Sequence, residues 1–208
     1  MLGGTDQELL AAWKAGDLKS GDRLVGRHFP AVDRYFRNKV AQSDIADLIQ
    51  NTFMACIENP EGHQGRAPFR NYLLGIARNL LRNYYRSKGR SRHEDVDAVS
   101  VADLGAGPNT LLGAQEEQRL LLVALRHIPL WAQEVLELHF WERLTAAEIA
   151  ALLELGENAV YARLRRARLR VAEALERLAG SAALLSSTLG DLDGWARSVR
   201  PTSPKDRQ

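Results

Sequence analysis

Apolar positions recur along most of this chain with a period near 3.6, and the alternation expected of half-buried strands is nearly missing. The pattern is clearest over 44–57. There Ile45, Leu48, Ile49, Thr52, Phe53, Cys56 and Ile57 fall on one stripe, leaving Asp47, Gln50, Asn51 and Met54 on the other face. That face, neither Lys-rich nor Glu-rich, suits a protein partner, although on this pattern alone plain solvent is the default reading. A second long helix is predicted over 69–86, with Leu73, Ile76, Ala77, Leu80 and Tyr84 inward and Arg78, Asn79, Arg82, Asn83 and Arg86 facing elsewhere. Tyr72 and Tyr85 add aromatic rings beside these basic and amide groups. Arginines hold phosphates, amides can bond base edges and rings stack on unpaired bases, so this helix fits single-stranded nucleic acid better than a plain bundle surface.

Further along, Pro129 suits the first turn of a helix over 130–140, anchored by Trp131, Val135 and Leu138. Thr145-Ala146-Ala147-Glu148 has the spacing of a capping box, in which the Thr side chain accepts from the Glu148 amide and Glu148 reaches back. The short helix it starts carries Ile149, Leu152 and Leu153, with small Ala150 allowing a close crossing. Gly156 marks a break and an acceptable N-cap. A long helix follows with Val160, Leu164, Ala167, Val171, Leu175 and Leu178 on one stripe. Asn158, Ala162, Arg165 and Arg166 project to the opposite side, flanked by Tyr161 and Arg163. Arginines stand at 163, 165, 166, 168 and 170 with no acid between them. A solvated bundle helix could carry such a face. A short capped helix, a turn and then a basic helix make instead a helix-turn-helix, whose second helix enters the major groove. Leu169 projects outward and is expected to pack on something beyond the groove.

These patterns define an all-α chain of two small helical bundle domains joined by a flexible linker, the second containing the helix-turn-helix. The expected bounds are 6–87 for the first domain, 88–110 for the linker, 111–179 for the second domain and 180–208 for a C-terminal extension. The linker contains glycine, ends near Pro108 and turns from basic to acidic along its length, as either a solvated tether or a path through a partner would. The extension holds apolar residues over 184–195 that could form one short helix, and its last residues read as disordered.

Composition sharpens this picture in three ways. The formal net charge is only +2 over 208 residues, so the arginine-rich face is a local asymmetry and not a global one. A single cysteine, Cys56, precludes an intramolecular disulfide; placed on an apolar stripe, it reads as a core residue, and a reducing, cytoplasmic setting is expected. No apolar run approaches bilayer-spanning length and the first residues lack the pattern of a secretory signal, so no membrane insertion is expected. Enzyme chemistry finds no support: His28, His63, His93, His127 and His139 are scattered and no phosphate-cradling Gly-x-x-x-x-Gly-Lys occurs. No catalytic residue, metal or cofactor is expected.

The chain resembles the extracytoplasmic-function (ECF) sigma factors of bacterial RNA polymerase. The matching stretches are Asp44-Ile45-Ala46-Asp47-Leu48-Ile49-Gln50, Phe69-Arg70-Asn71-Tyr72-Leu73, Ile76-Ala77-Arg78-Asn79, Ile128-Pro129, Glu134-Val135-Leu136, Leu144-Thr145 with Glu148-Ile149-Ala150, and Val160 with the run from Arg163 to Arg168. The resemblance implies that Asp47, Leu48, Gln50, Asn51 and Met54 dock on polymerase core (β′ and β subunits). It implies that Tyr72, Arg78, Asn79, Arg82, Asn83 and Arg86, with the loop 60–68, capture one strand of the minus-ten element. Asn158, Tyr161, Ala162, Arg163, Arg165 and Arg166 would bind the minus-thirty-five element. An anti-sigma factor is an implied partner beside promoter DNA. The sequence departs from the family pattern at Glu154, where Gly is usual, at Gly156, where Ser or Thr is usual, at Ala159 and Tyr161, commonly Thr and Lys, and at Asn51, usually Glu. The alternative is a helix-turn-helix regulator that binds duplex DNA without polymerase core.

Overall fold

A computed structural model describes residues 4–59, 67–87, 96–98, 100–102 and 116–178. Most of the loop 60–68, much of the linker and the whole extension, including the helix expected over 184–195, lie outside the described residues. The described residues form eight α-helices and contain no strand. The first four are α1 (Asp6–Lys14), α2 (Leu18–Arg37), α3 (Gln42–Glu58) and α4 (Phe69–Ser87). The last four are α5 (Glu116–Arg126), α6 (Leu130–Leu136), α7 (Ala146–Leu153) and α8 (Glu157–Leu178).

Local chemistry sets several of these boundaries. α1 opens with a capping box in which the Thr5 hydroxyl accepts from Glu8 N–H while Glu8 accepts from Thr5 N–H. α3 buries Ile45, Leu48, Ile49, Thr52, Phe53 and Cys56, the stripe expected from the sequence. α4 differs from expectation. Its fully buried seam is Leu73, Leu74, Ala77, Leu81 and Tyr85, while Ile76, Leu80 and Tyr84 are half-buried. The helix carries two apolar stripes because it packs on α2 and α3 along one side and on α7 along another. Tyr85, read as an aromatic on the outer face, is inside the first bundle and its hydroxyl donates to the Lys39 carbonyl.

The helix expected over 130–140 also departs from the regular form. After Leu136 it widens into a π-turn at Glu137–Trp141, so Glu142 N–H donates to the Glu137 carbonyl five residues back at 3.1 Å. The widened turn buries Leu138 and Trp141 while Glu137 and Glu142 meet the first bundle.

The two bundles pack against each other, chiefly where α4 meets α7, and described parts of the linker join the contact. Val101 is buried, Ala102 N–H donates to the Arg126 carbonyl at 2.8 Å, and Ser100 pairs with Pro129 as an isolated antiparallel bridge.

Candidate nucleic-acid interface

The helix-turn-helix is built by short-range contacts. Thr145 Oγ1 accepts from Glu148 N–H at 3.2 Å and Glu148 Oε2 accepts from Thr145 N–H at 2.8 Å, completing the box expected from the sequence. The paired carboxylate, hydrogen-bonded to the Thr145 backbone, sits below its ordinary range. α7 ends on Glu154, which adopts a left-handed conformation (φ +57°) where an L side chain is strained. The Glu154 and Leu155 amides both donate to the Ala150 carbonyl, closing the turn. The Gly156 carbonyl then accepts the first bonds of α8.

α8 buries Val160, Leu164, Ala167, Val171, Ala174 and Leu175. Its opposite face leaves Asn158, Tyr161, Ala162, Arg165 and Arg166 exposed, with Arg163 half-buried. Aromatic rings brace part of this face. The Arg163 and Arg166 guanidinium carbons lie 5.8 and 5.6 Å from the centre of the Trp131 ring, and that of Arg168 lies 5.1 Å from Phe140. Leu169 is 58% exposed, so most of its side chain is left uncovered by the described residues.

On α3, Asp47, Gln50, Asn51 and Met54 form one exposed face, as the sequence suggests. Leu48 does not belong to it: at 7% exposure it is part of the hydrophobic core. Cys56 is fully buried and burial pushes its thiol up to about 11.

α4 presents a divided surface. Asn79, Asn83 and Arg86 are exposed, and Tyr72 and Arg78 are half-buried. Arg82 is buried, which corrects its reading as an open DNA contact in this arrangement. Its guanidinium donates to Glu134 of α6 at 2.9 Å and to Asp97 of the linker at 2.5 Å. Burial disfavours the charged form of Glu134, but Arg82, Tyr35 and Arg78 outweigh it and hold the carboxyl below its usual range. Tyr72, Arg78 and Asn79 border a groove of about 940 Å³ whose opposite wall holds Glu148, Leu152 and Glu154 of the second bundle.

Sequence reasoning missed the charged residues that join the bundles. Lys39, fully buried, pairs with Glu137. Arg34 makes a two-pronged pair with Glu142 at 2.9 and 3.1 Å. Arg70 donates to the Glu142 carbonyl at 2.8 Å, and the Asn71 amide donates to Glu148 at 3.1 Å. The one hint in the sequence was Glu134, Glu137 and Glu142 on an otherwise apolar segment, where carboxylates need partners.

Comparison with known proteins agrees with this geometry. The family model described as Sigma-70 region 2 matches residues 24–91, and that described as Sigma-70, region 4 matches residues 118–171. The ECF RNA polymerase sigma-E factor of Haemophilus influenzae is 27% identical over 173 residues, spanning 79% of this chain and 92% of that protein. The sigma-E factor of Escherichia coli K12 is equally similar, with 91% of its length covered. Among solved structures, CnrH in complex with the cytosolic domain of CnrY superposes with a TM-score of 0.60 at 24% identity, covering 84% of this chain and 99% of that one. The sigma factor RpoE of Bartonella quintana, in complex with the anti-sigma factor NepR, gives 0.59 at 20% identity, covering 76% and 98%. At such identities the structures attest the fold, and the two region models, in their order along the chain, attest the lineage: the chain belongs to the sigma-70 family, in its extracytoplasmic-function class.

Proposed function

We propose that this sigma factor divides promoter recognition between α4 and α8 and contacts polymerase core through α3. As an ECF sigma factor the chain directs transcription initiation by RNA polymerase. Within that function, Asp47, Gln50, Asn51 and Met54 dock on core. Asn79, Asn83 and Arg86, joined by Tyr72, Arg78 and Arg82, hold one strand of the minus-ten element. Asn158, Tyr161, Ala162, Arg163, Arg165 and Arg166 enter the major groove at the minus-thirty-five element. The working units are 6–87 and 111–179, with 88–110 between them and 180–208 appended.

One observation carries this reading most directly: α8 is buried along one stripe and lines the other with exposed arginines, behind a short, properly capped helix. Phosphate contacts from such arginines position a helix, and its first turns reach base edges. Melting then uses binding energy and not a chemical step, because a captured base recovers its unstacking cost through pocket contacts. The chain accordingly acts without turnover of its own, in the cytoplasm, where polymerase works. No helix among the described residues is long and apolar enough to cross a membrane. The solved relatives bound to CnrY and NepR support a protein inhibitor of the anti-sigma kind as a further partner.

Gel filtration with core polymerase, followed by in vitro transcription across genomic DNA with start sites mapped, tests the reading. Co-elution and discrete start sites are expected; a chain that binds duplex DNA but never co-elutes with core would refute it.

A further inference from the structure

We propose that Trp131 and Phe140 are positioning residues for DNA binding, whose rings hold Arg163, Arg166 and Arg168 as phosphate contacts on the two flanks of α8. This inference rests on the reading of α8 as the duplex-binding helix.

The arginines of α8 fall into two classes. At about 100° per residue, Asn158, Tyr161, Ala162 and Arg165 share a strip roughly 100° wide that faces away from the buried stripe. Arg163 and Arg166 lie on one side of that strip and Arg168 on the other. A helix that enters the major groove turns its central strip to the base edges, and its flanks face the phosphate strands that border the groove.

The flanking arginines are the ones that meet rings. α6 packs on the buried side of α8. From its first turn, Trp131 reaches Arg163 and Arg166 on one flank, at 5.8 and 5.6 Å from the ring centre. From the π-turn, Phe140 reaches Arg168 on the other flank at 5.1 Å. Both rings are half-buried, and both precede the helix-turn-helix, which opens at Thr145. Arg165, in the central strip, meets neither ring.

The kind of partner matters. A carboxylate would occupy the N–H donors of a guanidinium and offset its charge. An aromatic ring attracts the cation through its π face and leaves donors and charge for a phosphate. Among the described residues no carboxylate pairs with Arg163, Arg166 or Arg168, whereas Arg170, just beyond them, pairs with Glu173 at 3.2 Å. An arginine held against a ring also has fewer rotamers to lose when a phosphate arrives, a gain of about two- to tenfold in affinity per side chain.

The test uses the full chain at low salt, with fluorescence anisotropy on a panel of random-sequence duplexes of about 30 base pairs. Trp131→Leu is expected to weaken binding about fivefold or more, by the same factor on every duplex. Trp131→Phe, which keeps a ring, is expected to stay within about threefold of the parent chain. With Arg163→Ala and Arg166→Ala already in place, Trp131→Leu is expected to change nothing further, because the ring acts only through those side chains. Phe140→Leu, alone and with Arg168→Ala, repeats the cycle on the other flank with an expected loss of about twofold or more. If Trp131→Leu loses helical circular dichroism, Trp131→Met takes its place with the same expectations. Retained affinity in the folded variants overturns the proposal. So does a loss that Trp131→Phe shares in full or that persists without the two arginines, since either would make Trp131 a packing residue. A loss confined to particular sequences overturns the phosphate assignment. Failure of the parent chain to bind any duplex would instead remove the α8 reading itself, and the proposal with it.

Discussion

The Arg82 guanidinium on α4 donates to the Glu134 carboxylate on α6 at 2.9 Å, across 52 positions of sequence. Both groups are buried, and the Tyr35 hydroxyl donates to the same carboxylate. Burying two charges is costly unless they pair and their remaining donors and acceptors are satisfied; removing one partner leaves the other exposed to the full penalty. The pair thus acts as a latch: weak as a source of net stability, strong as a determinant of which surfaces meet.

Protonation tunes a neighbouring pair. Burial pushes the Glu137 carboxyl up to about 7, against the pull of Lys39 and Gln133 and with the charge of Glu134 adding to the rise. A carboxyl whose pKa is raised by packing supports that packing fully below its ordinary value and loses the contribution as pH rises to about 7. The packing of the two bundles, followed by energy transfer between dyes placed on each, should therefore weaken between about pH 4.5 and about pH 7 and level off above that. Glu137→Gln should flatten the profile; a profile that keeps its slope would assign the dependence to another group.

Arg165→Ala should weaken binding to the upstream element by roughly 1–3 kcal/mol, with a loss that depends on base sequence if the side chain reads a base edge. Arg165 is exposed and outside the Trp131 stack, so the substitution should leave the fold unchanged. Binding measured on a panel of duplexes separates the roles: an equal loss on all of them would make Arg165 a phosphate clamp.

Asp47→Arg on α3 should weaken association with polymerase core by about 2 kcal/mol or more, since a reversed charge at a contact opposes its former partner. Asp47 is exposed and points away from the core of the first bundle. Titration of labelled chain with core polymerase measures the loss, and unaltered affinity would detach α3 from the docking surface.

Glu154→Gly should stabilise the helix-turn-helix. Relief of a left-handed L residue is worth about 1–2 kcal/mol, and the added freedom of glycine in the unfolded chain returns about 0.5–1 kcal/mol of that. A net gain near 1 kcal/mol corresponds to a melting temperature about 2–4 °C higher for a chain of this size. A lower melting temperature would mean that the Glu154 side chain makes a stabilising contact that outweighs its strain.

What the sequence disclosed and what it hid follow from the range of the interactions. The α3 stripe, the Thr145–Glu148 box and the buried seam of α8 depend on neighbours three or four residues apart, and each was legible. The inward face of α4 was not, because Leu74, Leu81 and Tyr85 belong to a second stripe that only a helix wedged between two neighbours would need. Leu48 fits both the apolar stripe and the family's docking motif; burial decides for the core. The pairing of Arg34 with Glu142 spans 108 positions, beyond any local rule. The strained Glu154 was visible only as a departure from the family's glycine, and its backbone angle gives that departure a physical cost.

The Ser100–Pro129 bridge has a mechanical consequence. While it and the adjoining Ala102–Arg126 hydrogen bond hold, the chain available to part the bundles runs from Ser87 only to Ser100 and spans at most roughly 45 Å; once both let go, the span extends to Glu116 and at most roughly 100 Å. Extra residues inserted between positions 102 and 116 would stay idle until both part, whereas the same insertion between 88 and 95 would lengthen the span at once.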